Sequence, residues 1–162
     1  MTTTEFPKFK TNRLLLRQIV DSDIDNIFKG LSHPDIIKYY GVNFQTLEAT
    51  KEQMTFYADL ENNGTGIWWA ICSLDNKTFY GAGGLNSLSI EHKKAEIGFW
   101  LLTDFWGQGI MKEAMPLICN YGFDKLGLHR IEGFVETKNG NCKTAMAKLD
   151  FRLEGTMKDC EI

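Results

Sequence analysis

Residues Ala95–Leu126, AEIGFWLLTDFWGQGIMKEAMPLICNYGFDKL, decide the fold. An apolar run from Ile97 to Leu102, broken only by Gly98, passes into the turn Thr103-Asp104-Phe105-Trp106 and then Gly107-Gln108-Gly109. A long segment with apolar residues at helical spacing follows. Strand, glycine turn, helix is an order that aims backbone N–H groups at an anion. The first N–H groups of a helix lack internal partners, and the helix dipole favours negative charge there. Two glycines at the junction let a phosphate approach main chain that a Cβ would shield. Pro116, well inside the helix, removes one backbone bond and predicts a kink.

The flanking sequence extends this unit into a mixed sheet. After Gly127, His129–Glu136 reads as a strand, so strand, crossover helix and strand form a parallel pair. Upstream, Gly66–Ser73 is β-rich, Asp75-Asn76-Lys77 reads as a hairpin turn, and Thr78–Ile90 as the next strand. Gly81, Gly83 and Gly84 in that strand predict a bulge or a close backbone approach. Arg13–Gln18 reads as the first strand, and Asp21-Ser22-Asp23 offers a cap for a helix carrying Ile24, Ile27, Phe28 and Leu31. Pro34 opens a short helix through Tyr40, ended by Gly41. A further helix runs from Thr46 to Glu61, with Met54, Tyr57 and Leu60 inward and Asn62-Asn63-Gly64 closing it. A helix over 139–149 and a strand from Phe151 complete one domain over 1–162. The last strand would be unpaired on one side, so a further strand beyond Ile162 is expected.

Composition narrows the function classes. Hydrophobic residues make up 43% and charged residues 24%, as in ordinary globular domains. No stretch reaches the length of a membrane span, and the start lacks a basic-then-apolar signal segment, so a cytoplasmic protein without membrane contact is expected. A net charge of −3 without a basic run argues against nucleic acid. Cys72, Cys119, Cys142 and Cys160 are scattered without a CxxC pair and read as free thiols, with no metal site. Gly81-Ala82-Gly83-Gly84 lacks the GxGxxG spacing of a dinucleotide site and has no helix immediately after it.

Three blocks together resemble the GNAT acetyltransferase superfamily, and within it the RimJ/RimL-type N-acetyltransferases. They are Thr11-Asn12-Arg13-Leu14-Leu15-Leu16-Arg17, then Ala95–Leu101 with Trp106–Gly109 and Glu113-Ala114, then Lys148–Gly155. The resemblance implies an α/β (α+β) fold: a central mixed, mostly antiparallel twisted sheet with a splayed parallel strand pair and flanking helices. It implies acetyl-CoA as cosubstrate, an amine-bearing acceptor (a protein N-terminus, a polyamine or a small amine), and a homodimer among the assemblies seen in relatives. Carried over by position, Phe105, Trp106, Gly107, Gln108, Gly109 and Ile110 would hold the pyrophosphate through backbone N–H groups. Phe99, Trp100, Leu101 and Leu102 would line the pantetheine slot, and Asn139 would order the cofactor arm. Asp104 departs from the Arg or Gln of the family pattern, and Asp150 from its usual glycine.

The chemistry names further candidates. An alkyl amine of pKa about 10 must lose a proton before it attacks a thioester. Glu96, on the cofactor strand, is the first candidate base and Glu136 the second. Preset N–H groups from Phe99 to Leu102 would steady the oxyanion. Many family members place an acidic tyrosine where Met146 stands here, so Cys142, a water or no acid at all serves the leaving thiolate. The alternative function is a non-catalytic acyl-CoA-binding module of the same fold.

Overall fold

In the computed structural model, which describes residues 6–37 and 44–133, Ile67-Trp68-Trp69-Ala70-Ile71-Cys72 forms a strand buried on both faces. Its continuous apolar character suits a strand covered on both sides. Around it stand β1 (Phe9–Lys10), β2 (Leu14–Gln18), β3 (Ile67–Ser73), β4 (Phe79–Ser89), β5 (Lys94–Leu101) and β6 (Arg130–Glu132). They form one sheet in sequence order; every neighbouring pair is antiparallel except β5 and β6, which are parallel. The helices are α1 (Ile24–Leu31), α2 (Pro34–Ile37), α3 (Leu47–Asn63) and α4 (Ile110–Asp124), with α4 as the crossover between the parallel strands.

The period of two along each strand sorts side chains onto two cores. Leu14, Leu16, Trp69, Ile71, Leu85, Ala95 and Ile97 face Ile110, Met111, Ala114, Met115 and Ile118 of α4. Trp68, Ala70, Cys72, Ala82 and Trp100 face Ile27 and Leu31 of α1, Ile36 of α2, and Tyr57 and Leu60 of α3. α3 is framed as its ends predict: the Thr46 hydroxyl accepts from Ala49 N at 3.0 Å, and Gly64 closes the helix at φ 69°. At Gly98 a Cβ would lie 2.7 Å from the Trp68 ring, which is why the apolar run of β5 is interrupted there.

Several expectations change. Asp21–Asp23 forms a 3₁₀ turn, and Asp23 does not cap α1 with its side chain. Its carboxylate instead accepts from Val20 N at 2.8 Å and takes both Nη groups of Arg17, each at 2.8 Å. A two-residue strand, β1, precedes the expected first strand. Of the bulge or close backbone approach expected at the β4 glycines, the close approach holds: a Cβ at Gly81 would collide with Trp100 O and one at Gly84 with Ile67 O, while the register shifts fall at Tyr80 and between Asn86 and Ser89. α4 runs through Pro116, whose side chain is on the exposed side with Lys112, so water can reach the carbonyl that the ring leaves without a donor. The helix end at Tyr40 and Gly41, the continuation of the strand to Glu136, the helix over 139–149 and the strand from Phe151 lie outside the described residues.

Candidate active site

The turn between β5 and α4 is held from both sides. Phe105 packs edge-on against Tyr80 with ring centroids 4.7 Å apart, and the Trp106 indole N–H donates to Leu101 O at 2.9 Å. Gln108 Nε2 donates to Asp104 O at 3.2 Å, closing the loop on itself. Gly107 and Gly109 take φ 77° and 74°, a region that costs an L-residue strain. Gly109 is the N-cap of α4, and the first helical bond runs from Glu113 N to Gly109 O at 3.2 Å. The N–H groups of Ile110, Met111 and Lys112 therefore have no intrahelical partner. Residues 106–109 are exposed while Ile110 is buried in the α4 core, so the helix start is anchored and its donors open outward. Such a cradle fits a diphosphate.

Strand β5 leads from this turn to a half-buried carboxylate. Leu102 N donates to Tyr80 O on β4 at 2.8 Å, and alternation turns the main-chain groups of Trp100 and Gly98 the same way. The N–H and C=O groups of Phe99 and Leu101 then face away from β4. On that side the described ladder to β6 covers Lys94↔Arg130, Ala95↔Ile131 and Glu96↔Glu132 only. Of the four residues expected to line a slot with main chain, geometry thus favours Phe99 and Leu101. Trp100 is buried in the opposite core, with its N–H on Tyr57 OH at 3.3 Å, and Leu102 is buried beside it.

Glu96 shares a face with Gly98 and Trp100, the face covered by α1–α3. From Glu96 to the last residue of β5 the strand rises about 17 Å, at about 3.3–3.4 Å per residue. That length separates the glycine turn at one end of the strand from the Glu96 carboxylate at the other. Beside Glu96 in the parallel register stands Glu132, which reading the sequence missed. Its carboxylate accepts from Arg130 Nε at 2.8 Å and lies 3.7 Å from Lys94 Nζ. Only the strand register, invisible in the sequence, places the two residues opposite each other on neighbouring strands.

Another residue reached the site by its distant contacts. Glu113, in the first turn of α4, is held by the Thr11 hydroxyl on one oxygen and by Arg13 Nε at 3.1 Å on the other. The motif before β2 is thereby tied to the glycine turn. Glu136, Asn139 and Cys142 lie outside the described residues. The Cys72 and Cys119 thiols are both pushed up to about 11 by burial, which keeps them protonated and poor nucleophiles. Among the described residues, no cluster of three His, Cys, Asp or Glu side chains could hold a metal, and no helix is long and apolar enough to cross a membrane.

Comparison with known proteins gives this geometry a context. Residues 13–152 match the acetyltransferase (GNAT) domain family. The uncharacterized N-acetyltransferase YoaA of Bacillus subtilis (strain 168) is 34% identical over 154 residues, covering 94% of this chain and 87% of the relative. A coenzyme A complex of RimL, a ribosomal L7/L12 alpha-N-protein acetyltransferase, superposes with a TM-score of 0.85 at 21% identity, covering 96% of this chain and 90% of that one. Spermidine N-acetyltransferase from Vibrio cholerae, solved with CoA and spermine, superposes with a TM-score of 0.79 at 18% identity, covering 90% and 84%. The mixed sheet, the crossover helix and the glycine turn are those of one enzyme family: the chain belongs to the GNAT family and is an N-acetyltransferase that uses acetyl-CoA.

Proposed function

We propose that this enzyme passes the acetyl group directly to a primary amine, on a protein N-terminus such as that of a ribosomal protein, or on a polyamine or small amine. The observation that carries the reading is the arrangement along β5: an outward-facing glycine turn at one end and half-buried Glu96 at the other. Main-chain N–H groups of Phe99 and Leu101 face the gap between them. Acetyl-CoA supplies the activated thioester. The turn at Gly107–Gly109 and the open N–H groups of α4 bind the diphosphate. The Phe99 and Leu101 N–H groups orient the donor arm, and one of them meets the oxyanion. Glu96 takes the amine proton, directly or through a water, because an alkyl ammonium cannot attack. The thiolate, with pKa near 8.5, leaves without requiring an acid.

Transfer without an acetyl-enzyme is supported by the two described cysteines, Cys72 buried and Cys119 half-buried, both held as neutral thiols. Glu136 remains the second candidate base, and Cys142 or a water the candidate acid. Asn139 would order the donor arm. The enzyme acts in the cytoplasm, with no nucleic-acid or membrane partner, and as a homodimer.

The test is calorimetric titration with acetyl-CoA, followed by thiol-release assays on peptides with free N-termini and on spermidine. Acetyl-CoA at a hundred times its dissociation constant should add about 2.7 kcal/mol of stability. Turnover of peptides and not spermidine, or the reverse, selects the acceptor class. Turnover of neither, with acetyl-CoA bound, overturns the amine assignment.

A further inference from the structure

We infer that Arg13 is a donor-binding residue, holding the diphosphate of acetyl-CoA beside the glycine turn at the start of α4. The inference rests on the diphosphate site proposed above and adds a side chain from a distant part of the sequence to it. A Cβ placed on Gly109 would lie 3.3 Å from Arg13 Nη2, so the guanidinium lies beside the turn where the helix donors open.

The way Arg13 is held points its charge at that turn. The Thr11 hydroxyl accepts from Leu14 N at 2.9 Å and from Arg13 N at 3.3 Å, and donates to Glu113 Oε2. This fixes the backbone of Arg13 at the start of β2 and occupies one oxygen of Glu113. The other oxygen takes Arg13 Nε at 3.1 Å. A guanidinium free to pair side-on would place two parallel bonds on one carboxylate. Here the carboxylate is shared with Thr11, and both Nη groups of Arg13 make no hydrogen bond among the described residues.

Charge reinforces the geometry. Glu113 and Asp104 put two carboxylates at the mouth of a site meant for an anion. Arg13 compensates the nearer one through a direct ion pair, at side-chain exposures of 46% and 31%. Its planar Nη groups then match phosphate oxygens in a way a lysine does not. Gly109 lacks a side chain because its φ of 74° strains an L-residue, and a Cβ there would also lie 3.3 Å from the guanidinium.

The test is equilibrium binding of acetyl-CoA, acetyl-dephospho-CoA and S-acetyl-pantetheine to the whole chain, unsubstituted and as Arg13→Gln and Arg13→Lys. S-acetyl-pantetheine keeps the thioester and arm but lacks the diphosphate; acetyl-dephospho-CoA lacks only the ribose phosphate. Arg13→Gln should weaken both nucleotide donors by about tenfold or more while leaving S-acetyl-pantetheine unchanged. Arg13→Lys should recover part of that loss, and also serves if the glutamine variant does not fold. Equal loss for all three donors makes Arg13 a structural tie and overturns the inference. So does loss confined to acetyl-CoA, which would assign Arg13 to the ribose phosphate, or unchanged binding in both variants. Failure of the unsubstituted chain to bind acetyl-CoA fails the diphosphate site itself, a result distinct from any of these.

Discussion

Glu96 and the two turn glycines illustrate what single residues decide. Glu96→Gln keeps size and polarity but cannot take a proton. It should lower the acetyl-transfer rate by about 10²–10⁴ and leave acetyl-CoA affinity unchanged. An unaltered rate and pH profile would remove Glu96 as the base. Gly107 and Gly109 share a left-handed backbone, so alanine at either should cost about 1–2 kcal/mol in urea unfolding. At Gly109 the added methyl would also meet Arg13, so acetyl-CoA binding should weaken more there than at Gly107, where the methyl would only crowd the open turn. The glycine turn was legible because the constraint on each glycine is local. Glu132 was not, since nothing in the sequence near it reports that parallel register sets it beside Glu96.

Elements were readable where their ends carry local chemistry. Thr46 and Gly64 mark α3 because a hydroxyl and a missing Cβ settle orphan backbone groups at those positions. The acidic run Asp21-Ser22-Asp23 misled, because Asp23 had a stronger use. With Arg17 it joins β2 to the turn before α1, at side-chain exposures of 6% and 17%. Asp23→Ala would leave that guanidinium buried without its partner and should cost about 3 kcal/mol or more. A loss well below 1 kcal/mol in chemical denaturation would show that water replaces the carboxylate. Pro116 supports the opposite kind of change. Its ring is exposed on α4, so Pro116→Ala restores a helical N–H without opening a cavity. The expected gain, about 1–3 kcal/mol, should raise the melting temperature by several degrees. An unchanged or lower value would mean that α4 already bends without strain at the proline.

The whole molecule responds to alkali through its buried thiols. Cys72 and Cys119 both titrate at about 11, above an ordinary thiol, because burial opposes the thiolate. Below the unfolded thiol pKa, near 8.5, both states are protonated and the contribution to stability is complete. As pH rises from there toward about 11, the unfolded chain loses protons first, so stability should fall across that window. Peptide mass mapping after brief iodoacetamide treatment at neutral pH should find buried Cys72 unmodified and half-buried Cys119 labelled slowly, and rapid labelling of Cys72 would contradict its burial. The sheet order and two-faced packing were only partly legible: Gly66–Ser73 reads as β-rich, but no local signal says that helices cover both its faces or which helix covers which. That division has a consequence for how such an enzyme changes over time. One core, around α4, carries the donor cradle; the other, around α1–α3, covers the face that bears Glu96. Among the described residues the sheet separates the two cores and Phe105 of the donor turn packs against both, so α1–α3 can change on their own face, away from that contact, while the donor end keeps its shape. The fold is therefore suited to diversify one specificity and inherit the other.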